Sequence, residues 1–239
     1  MSISALCEAI KQNRIADVTQ LLAAGASVLA TDAHQNTVVH LAAEAGHLAI
    51  LRLLGDRGAP LDRRNWLQQT PLSLAAWHGH LEVVQYLCEH GATPHGRDLN
   101  TAPLSAAAAA GHLEIVKYLV EQRHVPLNAL ERPFGAPPLF VAARFGRLDV
   151  VRYLMGKGAD PTLATAHGET ALGRVTHLLH GQPQTPTPGE AKRIYDLLAC
   201  LSGKGVTSRP VPPPRGASHA PRSLLSHLIQ PRKAWHFLH

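Results

Sequence analysis

Residues 70–92 read TPLSLAAWHGHLEVVQYLCEHGA. Two apolar stretches at helical spacing stand on either side of one glycine. Thr70 offers a capping hydroxyl, and Pro71 sits at the helix start, where a missing N–H is tolerated. Ala75 and Ala76 let neighbouring helices approach closely, and Gly79 supplies the left-handed turn that ends a short helix. Leu81, Val83, Val84 and Leu87 then give a second helix an apolar stripe that stops at Gly91. Neither helix can bury its stripe alone, so the unit needs neighbours of its own kind.

The chain supplies them. HLAAEAGHLAILRLLGDRGA from His40, SAAAAAGHLEIVKYLVEQRH from Ser105 and FVAARFGRLDVVRYLMGKGA from Phe140 align with SLAAWHGHLEVVQYLCEHGA from Ser73. The mid-unit glycines Gly46, Gly79, Gly111 and Gly146 are 33, 32 and 35 residues apart. A further 33 residues before Gly46 stands Asn13, inside ALCEAIKQNRIADVTQLLAAGA, with the asparagine in the turn position. After the fifth unit, GETALGRVTHLLH and EAKRIYDLLACLSGKG repeat the two helices on either side of the insertion GQPQTPTPG. A fixed period of this length signals stacked supersecondary units with one elongated core.

TVVHLAA, TPLSLAA, APLSAAA, PPLFVAA and TALGRVT, each followed by a second-helix stretch of the GHLEVVQYLCEHGA kind, make the sequence similar to the ankyrin repeat family. The resemblance implies an all-α solenoid of about six helix-turn-helix units with hairpin-like finger loops. The units are placed at about 1–31, 32–64, 65–96, 97–131, 132–164 and 165–205. Residues 1–205 then form the repeat domain, and 206–239 a Pro/Arg-rich basic tail expected to be mostly disordered.

In proteins of this kind, the second, third and fifth turn positions and the two residues before the mid-unit glycine project onto a concave binding face. In this sequence they are Ala33, His34, Asn36, Glu44 and Ala45; then Trp66, Leu67, Gln69, Trp77 and His78; then Asp98, Leu99, Thr101, Ala109 and Ala110; then Pro133, Phe134, Ala136, Arg144 and Phe145. Tyr86, Tyr118, Tyr153 and Tyr195 recur at one position of the second helix and read as packing, whereas Trp66, Trp77, Phe134 and Phe145 do not recur. Large aromatics and arginine on surface the fold leaves free are what binding hot spots are made of. Trp66, Leu67, Trp77, His78, Phe134, Arg144 and Phe145 are therefore the expected protein-binding residues, with Ala109 and Ala110 forming a shallow trough between them.

Three departures from the pattern stand out. Gln35, Gln68 and Asn100 occupy a turn position held elsewhere by Gly135 and Gly168, which predicts modest backbone strain at the glutamines. Arg123 and His124 replace the usual Gly-Ala, which predicts an altered finger after the fourth unit. Thr185 and Thr187 each precede proline in the last insertion, the pattern of a proline-directed phosphorylation site and also of a tolerated surface loop.

The formal charge of +6 would suggest a polyanion as partner, but its distribution opposes that. Residues 1–205 carry 18 basic and 17 acidic residues, and the other five basic residues lie in the acid-free tail. No specific nucleic-acid binding is expected. Cys7, Cys88 and Cys200 are too dispersed for a disulfide framework or a zinc knuckle. Of the 16 histidines, His40, His47, His80 and His112 fill repeat positions. His177 and His180 have a ligand-like spacing but no third donor beside them, and the same holds for Cys88 with His90. No nucleophile elbow, HExxH or phosphate-cradling glycine loop occurs, so neither an enzyme nor a cofactor or metal site is expected.

The N-terminus lacks a signal-peptide pattern and no span of about eighteen apolar residues occurs, which favours a soluble, monomeric protein of the cytoplasm or nucleus. In the tail, Pro210, Pro213 and Arg215 match PxxPxR, the spacing an SH3 domain accepts, although a flexible linker is the stronger reading. The expected function is non-catalytic recognition of an unidentified protein partner. The alternative is a targeting adaptor whose tail recruits a signalling enzyme or ubiquitin ligase to cargo held by the repeats.

Overall fold

The computed structural model describes residues 3–96, 102–131, 134–180 and 188–203. Asp98, Leu99, Asn100, Thr101, Pro133, Thr185, Thr187 and the whole tail, with its PxxPxR motif, lie outside the described residues. The described residues form twelve helices and no strand. They fall into two compact bodies. The first holds the described residues up to Ala107 with His112–Pro126 and Glu131; the second holds Ala108–Gly111, Leu127–Leu130 and the described residues from Phe134 on.

In the first body, α1 (Ile3–Lys11), α3 (Val38–Glu44) and α5 (Pro71–His78) pack side by side, as do α2 (Ile15–Ala23), α4 (Leu48–Asp56), α6 (Leu81–Glu89) and α8 (Leu113–Glu121). Each first helix also packs on the second helix of its own pair: α1 on α2, α3 on α4 and α5 on α6. The apolar stripes close into one core of Ile10, Leu51, Leu54, Leu72, Val84, Leu87 and Leu119, all at most 1% exposed. α7 (Pro103–Ala110) has its first residues in this body and its last in the other. In the second body, α9 (Pro138–Arg144) packs on α11 (Ala171–His180), and α10 (Leu148–Gly156) on α12 (Pro188–Leu201). α12 begins inside the GQPQTPTPG insertion, at Pro188, where proline suits the helix start.

The caps follow the sequence closely. Thr70 Oγ1 accepts from Ser73 N at 3.1 Å while Thr70 N donates to Ser73 Oγ at 3.0 Å, a reciprocal capping box with Pro71 at its start. Thr37 and His40 do the same at α3. Because Thr37 N donates to His40 Nδ1, the proton lies on Nε2, which donates to the carbonyl of Gln69 at 3.0 Å. One buried ring thus caps its own helix and holds the next finger.

Asn13, Gln35 and Gln68 all take the left-handed conformation, with φ of 55°, 56° and 61°. The Arg123–His124 substitution resolves differently from its expected register. Ala92 N bonds Leu87 O five residues back, but Val125 N bonds Leu119 O six residues back, so α8 ends with one extra residue. His124, with φ 54°, stands where Gly91 does, and buried Val125 stands where Ala92 does. Arg123 is the inserted residue, and its guanidinium donates to Cys88 O at 2.8 Å.

Candidate functional site

Mid-unit turns are tied together by the residue that follows the glycine. His80 Nε2 donates to Glu44 O at 2.9 Å, His112 Nε2 to Trp77 O at 3.0 Å, and, in the second body, Arg147 Nε to Ala109 O at 2.7 Å. Each side chain lies where a Cβ on Gly46, Gly79 or Gly111 would be. At the first turn, where Asn13 replaces glycine, His47 Nε2 is 3.4 Å from Lys11 O. These bonds fix the ends of α3, α5 and α7, and of the expected binding residues Trp77 and His78 sit at one of them, the end of α5.

In the first body, the fingers are locked at their bases and open at their tips. Asp32 Oδ1 accepts from His34 N and Asn36 N. Asn65 Nδ2 donates both to Asn36 Oδ1 at 2.8 Å and to Gln69 Oε1 at 2.9 Å, joining one finger to the next. At the tip, Trp66 is 55% exposed; its N–H donates to His34 O, and its ring stacks on His34 at 6.0 Å. Leu67 beside it is half-buried. On the inner helices, His78 is half-buried, with Nε2 3.9 Å from Glu44 Oε1.

Two expectations need correction here. Trp77 does not project into free surface: it is 3% exposed, since an indole beside an alanine-rich layer gains more by burial than by facing water. The fifth turn position is not free either. Gln69 and, in the second body, Ala136 are buried, and Gln69 is held there by Asn65.

In the second body, Phe134 is 37% exposed. Its carbonyl accepts from Ala166 N at 2.7 Å and its ring leans on His167 at 6.1 Å, a relation parallel to that of His34 and Trp66. Arg144 and Phe145 are half-buried, with the guanidinium 5.9 Å from the ring centre. Burial and neighbouring Arg174 hold the Arg144 pKa below its ordinary value, opposed by Glu169. Arg174 Nη1 stands 3.6 Å from Glu169 Oε1. The sequence reading missed His167 and Arg174; carrying the turn register into the sixth unit places His167 beside Phe134, but no motif marks Arg174. Ala109 is buried and Ala110 half-buried, so the expected trough has little side chain to show on α7.

The remaining candidates have structural work. His90 stacks on Tyr86 at 4.0 Å and donates from Nδ1 to Tyr86 O. Tyr86 is buried, Tyr118 and Tyr153 are half-buried, but Tyr195 on α12 is 49% exposed, with no described helix following it. All three cysteines are free thiols. Among the described residues, no cluster of three or more His, Cys, Asp or Glu could hold a metal, and no helix is long and apolar enough to cross a membrane.

No curated protein matches the chain. A family model described as ankyrin repeats, in three copies, matches residues 6–98 and again 93–165. Together those matches cover more than half of the sequence: the chain belongs to the ankyrin repeat family.

Proposed function

We propose that this chain is a non-catalytic recognition module that holds a partner protein through its finger tips and the ends of its first helices. Ankyrin repeats generally mediate protein–protein interactions and are typically non-catalytic, which supports this class of function. The observation that carries the reading is Trp66. More than half of its large apolar surface faces water while its backbone and ring are held by His34, so little conformational freedom remains to be lost on binding. Phe134, Leu67, His78, Arg144 and Phe145 are the further contacts of the proposal, with Trp77 supporting them from the core.

Affinity purification with mass spectrometry on the full chain and on Trp66→Ala tests it. A partner retained by the native chain and lost with Trp66→Ala supports the reading; partners retained equally by both refute it. The acid-free tail with Pro210, Pro213 and Arg215 favours the adaptor as a second reading. Deleting residues 206–239 separates the two, because an adaptor keeps its first partner and loses the second.

A further inference from the structure

The second body contains an unusual juxtaposition of charge. Arg144 ends α9, which packs on α11, the helix that carries Arg174, and the charge of Arg174 adds to burial in holding the Arg144 pKa down. Glu169 is the carboxylate facing them, and it is the partner of Arg174. Among the described residues, no carboxylate lies within ion-pair distance of Arg144. The guanidinium instead lies beside the ring of Phe145. A half-buried cation next to another cation is unfavourable in the free protein, and an incoming anion relieves both the lost hydration and the repulsion.

We infer that Arg144, Arg174 and Phe145 recognise an acidic segment of the partner protein, in which a carboxylate neighbours an aromatic or large aliphatic side chain. The inference rests on the protein-recognition function proposed above. The forked guanidinium suits bidentate contact with a carboxylate, and the Phe145 ring offers an apolar platform beside it. The chain's own tail is excluded as occupant by its charge, since residues 206–239 contain no acid. A nucleic acid is disfavoured by the near balance of 18 basic and 17 acidic residues in 1–205.

The test is selection of phage-displayed random dodecapeptides by the full chain, followed by titration of the selected peptides. Peptides enriched in Asp or Glu next to an aromatic or large aliphatic residue are expected. They should bind Arg144→Gln and Arg174→Gln roughly tenfold or more weakly. Arg144→Glu should discard them altogether. Thermal melting of each variant reports on folding, and Arg144→Gln alone suffices if the Arg174 variants do not fold. Selected peptides without acidic enrichment, or bound equally by Arg144→Gln, overturn the inference. So does an oligodeoxythymidine bound with the same arginine dependence. If neutral or basic peptides are selected and Trp66→Ala abolishes their binding, protein recognition stands and the arginine inference alone falls. If no peptide is selected, the acidic-segment inference falls, and the purification with Trp66→Ala decides protein recognition by itself.

Discussion

His112 lies across Gly79: its Nε2 donates to Trp77 O at 3.0 Å, and its ring atoms stand within 3.0 Å of where a Cβ on Gly79 would be. The glycine therefore answers two demands at once, a φ of 85° and the close approach of the next unit's side chain. Gly91 in the same body shares only the first, with φ 92° and nothing within 4 Å of where its Cβ would stand.

Alanine at the two sites separates these demands. Gly91→Ala should cost the left-handed strain alone, about 1–2 kcal/mol. Gly79→Ala should cost roughly 1–2 kcal/mol more, because the ring must move and its hydrogen bond is lost. Urea unfolding of both variants measures the difference, and equal losses would show that His112 adds nothing to the turn.

At Gln68, φ is 61° without glycine. Relief of strain of about 1–2 kcal/mol exceeds the extra unfolded-state entropy of glycine, about 0.5–1 kcal/mol. Gln68→Gly should therefore raise stability by about 0.5–1 kcal/mol in the same urea experiment. A loss of stability would mean that the side chain contributes more than its long contact from Arg64, 3.5 Å, implies.

Thr70, Pro71 and Gly79 made the first helix of the third unit legible in sequence, because caps and turns are local chemistry written in adjacent residues. The extra residue of α8 was not legible. In sequence Arg123 and His124 stand in the places of Gly-Ala, and only the left-handed φ of His124 and the bond from Val125 N to Leu119 O show that His124 and Val125 take them. Repeat register likewise located Trp77 but could not say which way its ring turns, since Glu44 and Arg144 at the equivalent position remain partly exposed. Arg174 was invisible for a further reason. Its importance comes from Arg144 on another helix, and no spacing along the chain encodes that neighbour.

His40 is fully buried and neutral, and burial holds its pKa below the ordinary 6.5. The unfolded chain therefore binds a proton at this site before the folded one does. The stability from neutral His40 is complete above about pH 6.5 and declines as pH falls from there toward the lower folded-state value. His40→Ser, which copies Ser73 at the equivalent position, should lose about 1–3 kcal/mol at about pH 8, as the bond to Gln69 O goes, and should flatten the decline below about pH 6.5. Stability measured from about pH 8 to about pH 5 on both proteins checks the sign; an unchanged decline would assign it to other groups.

Burial pushes the Cys88 thiol up to about 11, although Arg123 partly opposes the shift. A thiol reagent at about pH 8 should thus leave Cys88 unmodified in the native protein and react with it on unfolding, where cysteine returns to about 8.5. Fast native-state labelling of Cys88, read by peptide mapping, would show that α6 opens locally.

Trp66 and Trp77 stand at 55% and 3% exposure, so the same truncation should have opposite consequences at the two sites. Trp77→Ala removes a buried indole and should destabilise the fold by about 3–5 kcal/mol. Trp66→Ala removes a surface ring and should change stability by no more than about 1 kcal/mol while abolishing partner retention. With Trp235 replaced by phenylalanine, acrylamide should quench the fluorescence of Trp66 strongly and that of Trp77 weakly. If Trp77→Ala leaves stability intact and removes partner binding instead, the indole belongs to the recognition surface, and the division of labour between the two tryptophans is reversed.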